Sequence, residues 1–392
     1  MKHLFITQDY PPDRGGMARR HVELVRRFPN ETESMIVSTV QLDGAELFDR
    51  GESYPIYRQP FHFREANRFS RQLQWSRWLV TNADTVDVIH CGNIRPAGYP
   101  TVWANSRLGT PYIVYVNGGD LLRELEKTAK SALKKRTAHR IFGKASGIAA
   151  TSEWVADLTR RVMDQVEIRK PPPVAALGLG TDPGTFSASV DTGKLRERWN
   201  AKANPILITV ARLVPHKGQD TIIRALPKVA TGFPGVRYVI VGEGPDQTRL
   251  SGLAKDLGVE SNVIFAGAVS DADLPEAYAT STIYAGASRI DRAINAEGYG
   301  ISFLEASASG LPVVAGDSGG VRSAVRDGET GIVIDPQDAD KWAETILSLL
   351  RDDNRRKELG RAGRAAVESY YNWDRVARDT RDFTLSVIRD KR

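Results

Sequence analysis

The chain has 392 residues, which is more than one hydrophobic core usually supports, so two domains are expected. Its composition, 41% hydrophobic and 26% charged, is that of a globular protein, and its single cysteine excludes an intrachain disulfide. The net charge of +6 arises in residues 1–185, which hold 26 basic against 20 acidic side chains. This excess favours an anionic partner for the first half of the chain.

Strand patterns in the first half alternate with helical patterns, which predicts a parallel sheet covered by helices on both faces. The predicted strands are 3–7, 34–40, 54–59, 87–91, 112–116 and 147–151. The predicted helices are 16–28, 68–82 and 121–144, and the last two are basic. A proline run at 171–173 and a glycine-rich segment at 178–184 then indicate a linker, so the first Rossmann-like domain is expected to span 1–185.

The same alternation continues in the second half of the chain. The predicted strands there are 206–211, 236–241, 263–266, 282–286, 311–315 and 331–335. Three helical segments close the chain, and a second Rossmann-like domain is expected at 186–373. The predicted fold class is therefore α/β, with two doubly wound parallel-sheet domains that face a cleft. Ligands of such sheets bind outside the carboxyl ends of the strands, so we expect the site in that cleft.

The sequence also bears on where the protein works. No apolar run approaches the ~20 residues that a membrane-spanning helix needs, and the short apolar start indicates a strand rather than a signal peptide. A cytoplasmic protein is expected, with Cys91 as a buried structural thiol. Helix 121–144 interleaves basic and apolar side chains, for which a solvated surface is the simpler interpretation. Peripheral contact with the anionic inner face of a membrane is the alternative, whereas no base-reading motif favours nucleic acid.

Two glutamates, Glu297 and Glu305, stand in the segment AEGYGISFLEASASG. Gly298-Tyr299-Gly300 is too rich in glycine for a helix interior, so a helix is predicted only from Ile301, with Gly310 just beyond its end. One carboxylate then lies on the loop and the other on the helix, with the helix N–H groups between them. Carboxylates bind hydroxyls and amides bind phosphate. The segment therefore predicts a site for a nucleotide-sugar.

Other charged residues and glycines in the sequence predict phosphate binding. Arg212 and Lys217 follow the first strand of the second domain, where two cations can clamp a diphosphate; incidental charge on a solvated loop is the alternative. Gly15 and Gly16 open the first helix, whose N–H groups can bind a ligand, although a tight turn explains them equally simply. The G-x-G-x-x-G pattern is absent after the first strand, which counts against a dehydrogenase.

No metal is predicted. Two D-x-D triplets, at 271–273 and 338–340, precede predicted helices, so their aspartates are expected to cap helices rather than to hold an ion. The six histidines show no metal-ligand spacing.

Five motifs follow one another along the chain. They are Pro11-Pro12 with Gly15-Gly16, ARLVPHKGQD at 211–220, VGEGPD at 241–246, the two glutamates with seven intervening residues, and the Gly319-Gly320 turn. Together they resemble the retaining, GT-B-fold glycosyltransferases of family four. The sequence FLEASASGLPVVAGDSGG is similar to that of the phosphatidylinositol mannosyltransferase branch. The resemblance covers most of the chain. It implies a hexosyltransferase that moves a sugar, with front-face chemistry and no metal, from a nucleotide-sugar to an acceptor hydroxyl; GDP-mannose is favoured and UDP-sugars are the alternative.

The resemblance also implies roles for individual residues. Arg212 and Lys217 hold the leaving diphosphate, and Glu297 holds sugar hydroxyls. The implied donor-binding positions are Gly16, Gly242, Val269, Gly298, Tyr299, Gly300 and Glu305, the last at the ribose. The positions expected to place the acceptor or the sugar are Asn117, Arg19 and Arg20, with Arg14 beside them. The first domain is expected to bind an acceptor, anionic by its charge excess, and the second the donor; a C-terminal helix at 374–392 is expected to cross back onto the first domain.

Two positions depart from the pattern of the family. Many members carry histidine in an H-G-x-[DE] run where this chain has Asn117, and an acidic residue where it has Ser323. A sugar-nucleotide epimerase, a phosphorylase on the same fold, and a non-catalytic relative that only binds a nucleotide-sugar therefore stay open as alternatives.

Overall fold

The computed structural model describes residues 1–13, 15–28, 33–60, 68–291 and 295–389. The chain forms two compact units: Met1–Gly178 with the C-terminal segment from Trp373, and Leu179–Asn372. The second unit thus begins at Leu179, whereas the sequence places that boundary at Phe186.

The first unit is built on a seven-stranded parallel sheet, in the order β3-β2-β1-β4-β5-β6-β7. Its strands are β1 (Lys2–Ile6), β2 (Ser34–Val40), β3 (Ile56–Gln59), β4 (Val88–Cys91), β5 (Tyr112–Val116), β6 (Gly147–Ala150) and β7 (Val174–Ala176). Its helices before the linker are α1 (Gly16–Arg27), α2 (Ala45–Arg50), α3 (Arg68–Asn82), α4 (Gly98–Leu108), α5 (Gly119–Lys130), α6 (Ala132–Gly143) and α7 (Glu153–Gln165). Strand order reverses between β1 and β4, which is where ligands of such sheets bind.

The second unit is built on a six-stranded parallel sheet, in the order β10-β9-β8-β11-β12-β13. Its strands are β8 (Ile206–Val210), β9 (Arg237–Val241), β10 (Val263–Gly267), β11 (Ile283–Gly286), β12 (Val313–Gly316) and β13 (Gly331–Ile334). Its helices are α8 (Lys194–Arg198), α9 (Gln219–Gly232), α10 (Gln247–Asp256), α11 (Leu274–Ala279), α12 (Ile301–Ala308), α13 (Ala339–Arg351) and α14 (Asp353–Ser369). The central strands of both sheets are covered on both faces, so their sequences are continuous apolar runs.

The last helix, α15 (Trp373–Arg389), belongs to the first unit and packs against α1 and β6. Its Arg375 donates a hydrogen bond to the Leu177 carbonyl at 2.7 Å, and its Phe383 ring fills the space beside Gly147. Residues 390–392, which the sequence includes in this helix, lie outside the described part.

One long helix predicted at 121–144 is wrong. Ser131 adopts an extended conformation with φ of −149°, and it separates α5 from α6. Its hydroxyl accepts a hydrogen bond from the Lys134 backbone N–H, so it caps the second helix. The short edge strand β7 was not predicted at all.

The D-x-D triplets differ in what their aspartates do. Asp338 accepts a hydrogen bond from the Lys341 N–H at 2.9 Å and caps α13, as predicted. Asp273 stands at the start of α11 without such a bond, because its carboxylate accepts from the Ser270 hydroxyl at 2.7 Å. Within the described ranges, no helix has the length and apolar character needed to cross a bilayer.

The core of the first unit contains ionisable groups. Cys91 is buried as predicted, and burial raises the pKa of its thiol to about 12. His3 Nδ1 lies 3.0 Å from His90 Nε2, and His90 Nδ1 lies 2.9 Å from the Tyr115 hydroxyl. Burial lowers the pKa of His3 to about 4 and that of His21 to about 3. Burial and then His3 hold the pKa of His90 well below its usual value, so all three imidazoles are neutral at pH 7.

We expect the free energy of unfolding to fall with pH below about 6.5, the ordinary histidine pKa. Down to about pH 4 the unfolded chain binds more protons at these three histidines than the folded one, so acid favours unfolding. Each histidine adds up to ~1.4 kcal/mol per pH unit to the slope. Urea denaturation between pH 7.5 and 4.5 measures it. His90→Gln should flatten the slope and His139→Gln, at an exposed position, should not; equal slopes in both variants would contradict the assignment.

Candidate functional site

Glu297 and Lys217 are in contact in the second unit, although 80 residues separate them. The Lys217 Nζ donates to Glu297 Oε2 at 2.5 Å. Lys217 ends a short 3-10 turn after β8, and the next residue, Gly218, has φ of +71°. A Cβ at Gly218 would lie 1.9 Å from the Ala287 carbonyl oxygen, so only glycine lets the loop after β8 press against the loop after β11. This close approach places the lysine beside the carboxylate.

The electrostatics of this pair keep both groups charged. Burial raises the pKa of Glu297, but the Lys217 charge and hydrogen bond, with a further bond from the Tyr299 N–H, bring that pKa below its ordinary value. The two side chains are 19% and 14% exposed, so solvent or a ligand reaches them. Burial and then Lys217 lower the pKa of the neighbouring His216 to about 4, which leaves this imidazole neutral.

The loop that carries Glu297 leads into α12. The Glu297 carbonyl accepts a hydrogen bond from the Gly320 N–H at 2.8 Å, and a Cβ at Gly319 would lie 2.3 Å from the same oxygen. The predicted 319–320 turn therefore holds this loop, and Ser323 contributes a backbone N–H to Gly320.

At the start of α12, the Gly298-Tyr299-Gly300 segment is buried, and Gly300 has φ of +97°. No side chain caps α12 among the described residues, so the positive end of its dipole is left for a ligand beside Glu297.

Glu305 is buried inside α12, with 7% of its surface exposed. Its Oε2 accepts a hydrogen bond from the Tyr278 hydroxyl at 2.7 Å. Tyr278 lies in α11, and this contact has no local sequence signal because the two residues are 27 positions apart on different helices. The tyrosine orients the carboxylate that the sequence predicts at the ribose.

Three other predicted residues follow the ends of neighbouring strands. Arg212 follows β8, Gly242 follows β9 and Val269 follows β10. Arg212 is exposed, and its guanidinium forms no hydrogen bond or ion pair with the residues that the structure describes. A Cβ at Gly242 would lie 2.1 Å from the Ala211 carbonyl, so the first two loops touch. The charges of Lys217, Glu297 and Arg212 all act on the pKa of His216.

In the first unit, α1 begins at Gly16 after Gly15, whose φ is +148°, and no side chain caps it among the described residues. Arg19 is half-buried one turn later, and Arg14 lies outside the described ranges. Arg20, expected to place the acceptor or the sugar, is buried with 1% of its surface exposed, and its role stays a prediction. Its guanidinium turns inward because the carboxyl ends of β5 and β6 offer it carbonyl oxygens.

Asn117 follows β5, and its Oδ1 accepts a hydrogen bond from Arg20 Nη1 at 2.9 Å. Its Nδ2 is buried and has no hydrogen-bond partner in the described part of the chain. Its backbone N–H donates to Asp120, whose pKa is raised by burial. The amide is thus held from one side and leaves a donor on the other.

Metal ligands form no cluster in the ranges described: no three His, Cys, Asp or Glu side chains are placed to share an ion. Independence from metals stays a prediction.

Comparison with known proteins covers both units. A family model for the glycosyl transferase 4-like domain matches residues 15–173, and one for glycosyl transferases group 1 matches 191–366. The chain is 31% identical to a GDP-mannose-dependent alpha-(1-6)-phosphatidylinositol monomannoside mannosyltransferase of Mycobacterium tuberculosis, over 97% of each chain. It is 31% identical, over 73% of its length and 63% of the relative's, to a D-inositol 3-phosphate glycosyltransferase of Acidothermus cellulolyticus.

Solved structures share the fold. Alr3699/HepE of Anabaena, in complex with UDP and glucose, has a TM-score of 0.80 at 22% identity and covers 98% of this chain and 100% of its own. A sucrose-phosphate synthase of Thermosynechococcus elongatus has a TM-score of 0.78 at 18% identity, with 99% of each chain covered. The chain therefore belongs to glycosyltransferase family four and is a glycosyltransferase with the two parallel-sheet, Rossmann-like domains of the GT-B fold.

Proposed function

We propose that the protein transfers mannose from GDP-mannose to a hydroxyl of a phosphoinositol-containing, lipid-linked acceptor, with retention of configuration and without a metal ion. The observation that carries the proposal is the Lys217–Glu297 pair beside the uncapped start of α12. The choice of sugar and acceptor rests on the relatives, which are named as GDP-mannose-dependent phosphatidylinositol mannosyltransferases. The second unit binds the donor and the first unit binds the acceptor.

The donor site divides its work between charges of opposite sign. Arg212, Lys217 and the N-terminus of α12 bind the diphosphate, because cations and helix N–H groups both favour oxygen anions. Glu297 binds sugar hydroxyls, and Glu305, oriented by Tyr278, binds the ribose hydroxyls. Gly242 and Val269 line the donor through backbone and apolar contact.

In the front-face mechanism that we propose, Glu297 holds the sugar and does not attack it. Its carboxylate is ionised and lies 2.5 Å from Lys217 Nζ, so it can accept hydrogen bonds from sugar hydroxyls while the lysine binds the diphosphate. The acceptor oxygen forms its bond to the anomeric carbon on the side where the bond to the diphosphate breaks. The departing phosphate oxygen takes the acceptor proton, and the positive groups around it stabilise the charge that develops in the transition state. Two cations and a helix dipole supply the charge that a divalent ion otherwise provides.

The acceptor proposal also draws on the surface of the first unit. Leu133, Arg136 and Arg140 are exposed on α6, and their spacing of three and four residues puts them on one face. An exposed leucine followed by two arginines on one face fits the anionic inner surface of a membrane, which attracts basic residues near it. We therefore propose that the protein works in the cytoplasm, with peripheral contact at that membrane surface.

We expect turnover of GDP-mannose with phosphatidylinositol mannoside acceptors in vesicles, in the presence of EDTA, to give an α-linked product. The reason is that the proposed mechanism needs no metal and retains the anomeric configuration of the donor. Mass spectrometry and the anomeric coupling in NMR measure the product, and UDP-glucose serves as the competing donor. A β-linked product, loss of activity with EDTA, or use of UDP-glucose alone would contradict the proposal. Binding of the donor without turnover would favour a non-catalytic relative.

The diphosphate clamp makes a separate prediction. Arg212→Ala and Lys217→Ala should each lower kcat/KM by ~100-fold, because each removes a charge that stabilises the leaving diphosphate in the transition state. Lys228→Ala is the matched control, since this lysine of α9 is partly exposed and pairs only with Asp340 and Glu344 in the part described. Steady-state kinetics on variants with unchanged melting temperature decide the matter. If the kcat/KM of either variant equals that of the Lys228→Ala control, the substituted residue does not bind the diphosphate.

Membrane contact can be tested by binding to vesicles with and without anionic phospholipid. A Leu133→Ser, Arg136→Ser, Arg140→Ser variant should bind anionic vesicles at least ~10-fold more weakly, at about 1 kcal/mol for each arginine removed. Binding of the unaltered protein should fall as added salt shortens the Debye length from ~10 to ~3 Å. Arg198→Ser with Arg224→Ser, at exposed positions of the second unit, is the control. Salt-independent binding would exclude an electrostatic contact.

A further inference from the structure

Arg20 is a buried cation without an ion pair in the part of the chain that the structure describes. Its Nη1 donates to the Val116 carbonyl at 3.3 Å and its Nη2 to the Ala149 carbonyl at 3.3 Å. Its guanidinium carbon lies 5.0 Å from the centre of the Tyr115 ring. Burial lowers the pKa of Arg20 to about 10, so it keeps its charge at neutral pH. Burying a charge is costly, and carbonyl oxygens compensate that cost only in part.

The Arg20 hydrogen bond to Asn117 determines which way the amide faces. A guanidinium has donors only, so the atom of Asn117 that lies 2.9 Å from Nη1 must be the oxygen. The Nδ2 group then faces the other way. With its oxygen bonded to Arg20, Asn117 directs its Nδ2 donor away from the guanidinium and leaves that donor for a ligand.

Two donors remain unused at this place. Asn117 Nδ2 and Arg20 Nε are both buried, and neither has a hydrogen-bond partner among the described residues. Buried polar groups in folded proteins are nearly always paired, so the unpaired Asn117 Nδ2 indicates a missing partner. That partner must be a hydrogen-bond acceptor, because an amide NH₂ can only donate.

The helix α1 links this pair to a second ligand-binding feature. Gly16, at the uncapped start of the helix, precedes Arg20 by four residues, which is about one turn. The same rigid element thus supplies both an uncapped N-terminus and the guanidinium that holds Asn117. Helix α1 therefore positions both a ligand at its start and the Asn117 amide.

We propose that Arg20 is a positioning residue that locks Asn117 as a hydrogen-bond donor to an oxygen of the nucleotide-sugar. This inference rests on the proposed function for the identity of the ligand. Arg20 does not touch the ligand; it fixes the direction of the amide and adds positive potential beneath it. Asn117 then recognises a lone pair, on a sugar hydroxyl or on the leaving diphosphate, and rejects a group that can only donate.

Asn117→Asp tests the donor claim without disturbing the fold. The carboxylate has the same shape and gains an ion pair with Arg20, but it cannot donate. We expect the melting temperature to stay or rise, while kcat/KM for GDP-mannose falls at least ~10-fold, as for loss of a hydrogen bond to a buried group. Activity equal to that of the unaltered protein would overturn the claim.

A double-mutant cycle tests whether Arg20 acts through Asn117. Arg20→Met should lower kcat/KM for the donor by ~10-fold in the native background and less than ~3-fold in an Asn117→Ala background, because interacting residues are not additive. Arg375→Met is the matched control, as Arg375 is also buried in this unit and bonds to the Leu177 carbonyl. It should show additive effects with Asn117→Ala. Equal losses from Arg20→Met in both backgrounds would reduce Arg20 to a structural residue, and Arg20→Lys repeats the cycle if the methionine variant does not fold.

A measurement without ligand separates this inference from the proposed function. In protein labelled with ¹⁵N-asparagine, the Asn117 side-chain NH₂ signal is identified by its loss in Asn117→Ala. Arg20→Met should shift that signal in the free protein, whereas Arg375→Met should not. An unmoved signal would overturn the positioning role whatever the activity. A moved signal in a protein that turns over no nucleotide-sugar would instead overturn the proposed function.

Discussion

The site in the second unit depends on close backbone contact between loops that follow neighbouring strands. A parallel sheet brings the carboxyl ends of all its strands to one edge, but the loops there meet only if no side chain keeps them apart. Gly218 touches the Ala287 carbonyl, and Gly319 touches that of Glu297. These two contacts carry Lys217 to Glu297 and hold the loop that starts α12. Replacement of either glycine would separate charges that lie 80 residues apart in the chain.

The Lys217–Glu297 ion pair keeps two opposite charges in contact, and each can bind a different group of the proposed ligand. Without ligand, each charge neutralises the other, and neither is left unpaired in a half-buried place. In the proposed function, a diphosphate would compete for the lysine and sugar hydroxyls for the carboxylate, so a nucleotide-sugar would replace both partners at once. A ligand with only one of these groups would leave the other charge unpaired. The pair would thereby favour the whole donor over free nucleotide or free sugar.

Sequence patterns predicted the helices and strands better than they predicted the contacts between these elements. The predicted strands at Tyr112–Val116 and Ser34–Val40 match the observed strands residue for residue, and the first of them is apolar throughout because it is buried on both faces. The loop, helix and strand around the two glutamates were also predicted, since glycine and periodicity are local signals. The break at Ser131 was missed because a capping serine within a helical pattern looks like a tolerated polar residue.

Contacts between residues that are far apart in the chain leave no signal in the local sequence. Tyr278 bonds Glu305 from another helix, and no spacing within either segment records it. Arg20 follows Arg19 in a basic stretch, so the sequence groups the two as surface cations. Helix α1 is buried on both sides, by the sheet on one and by α15 from the far end of the chain on the other. This burial hides the helical pattern of polar and apolar residues that would distinguish Arg19 from Arg20.

Lys217 and Arg20 are two cations with different surroundings. In the second unit, the Lys217 ammonium is matched by a carboxylate, and the potential it presents to a ligand is partly cancelled. In the first unit, Arg20 has carbonyl oxygens and an amide oxygen around it. Among the described residues no carboxylate forms an ion pair with Arg20, although the charge of Asp120 acts on it. An oxygen ligand at Asn117 gains both a hydrogen bond and the positive potential of Arg20, and the benefit grows as the ligand becomes more negative. Since a leaving diphosphate gains negative charge as its bond to the sugar breaks, a potential of this kind stabilises the transition state more than the ground state.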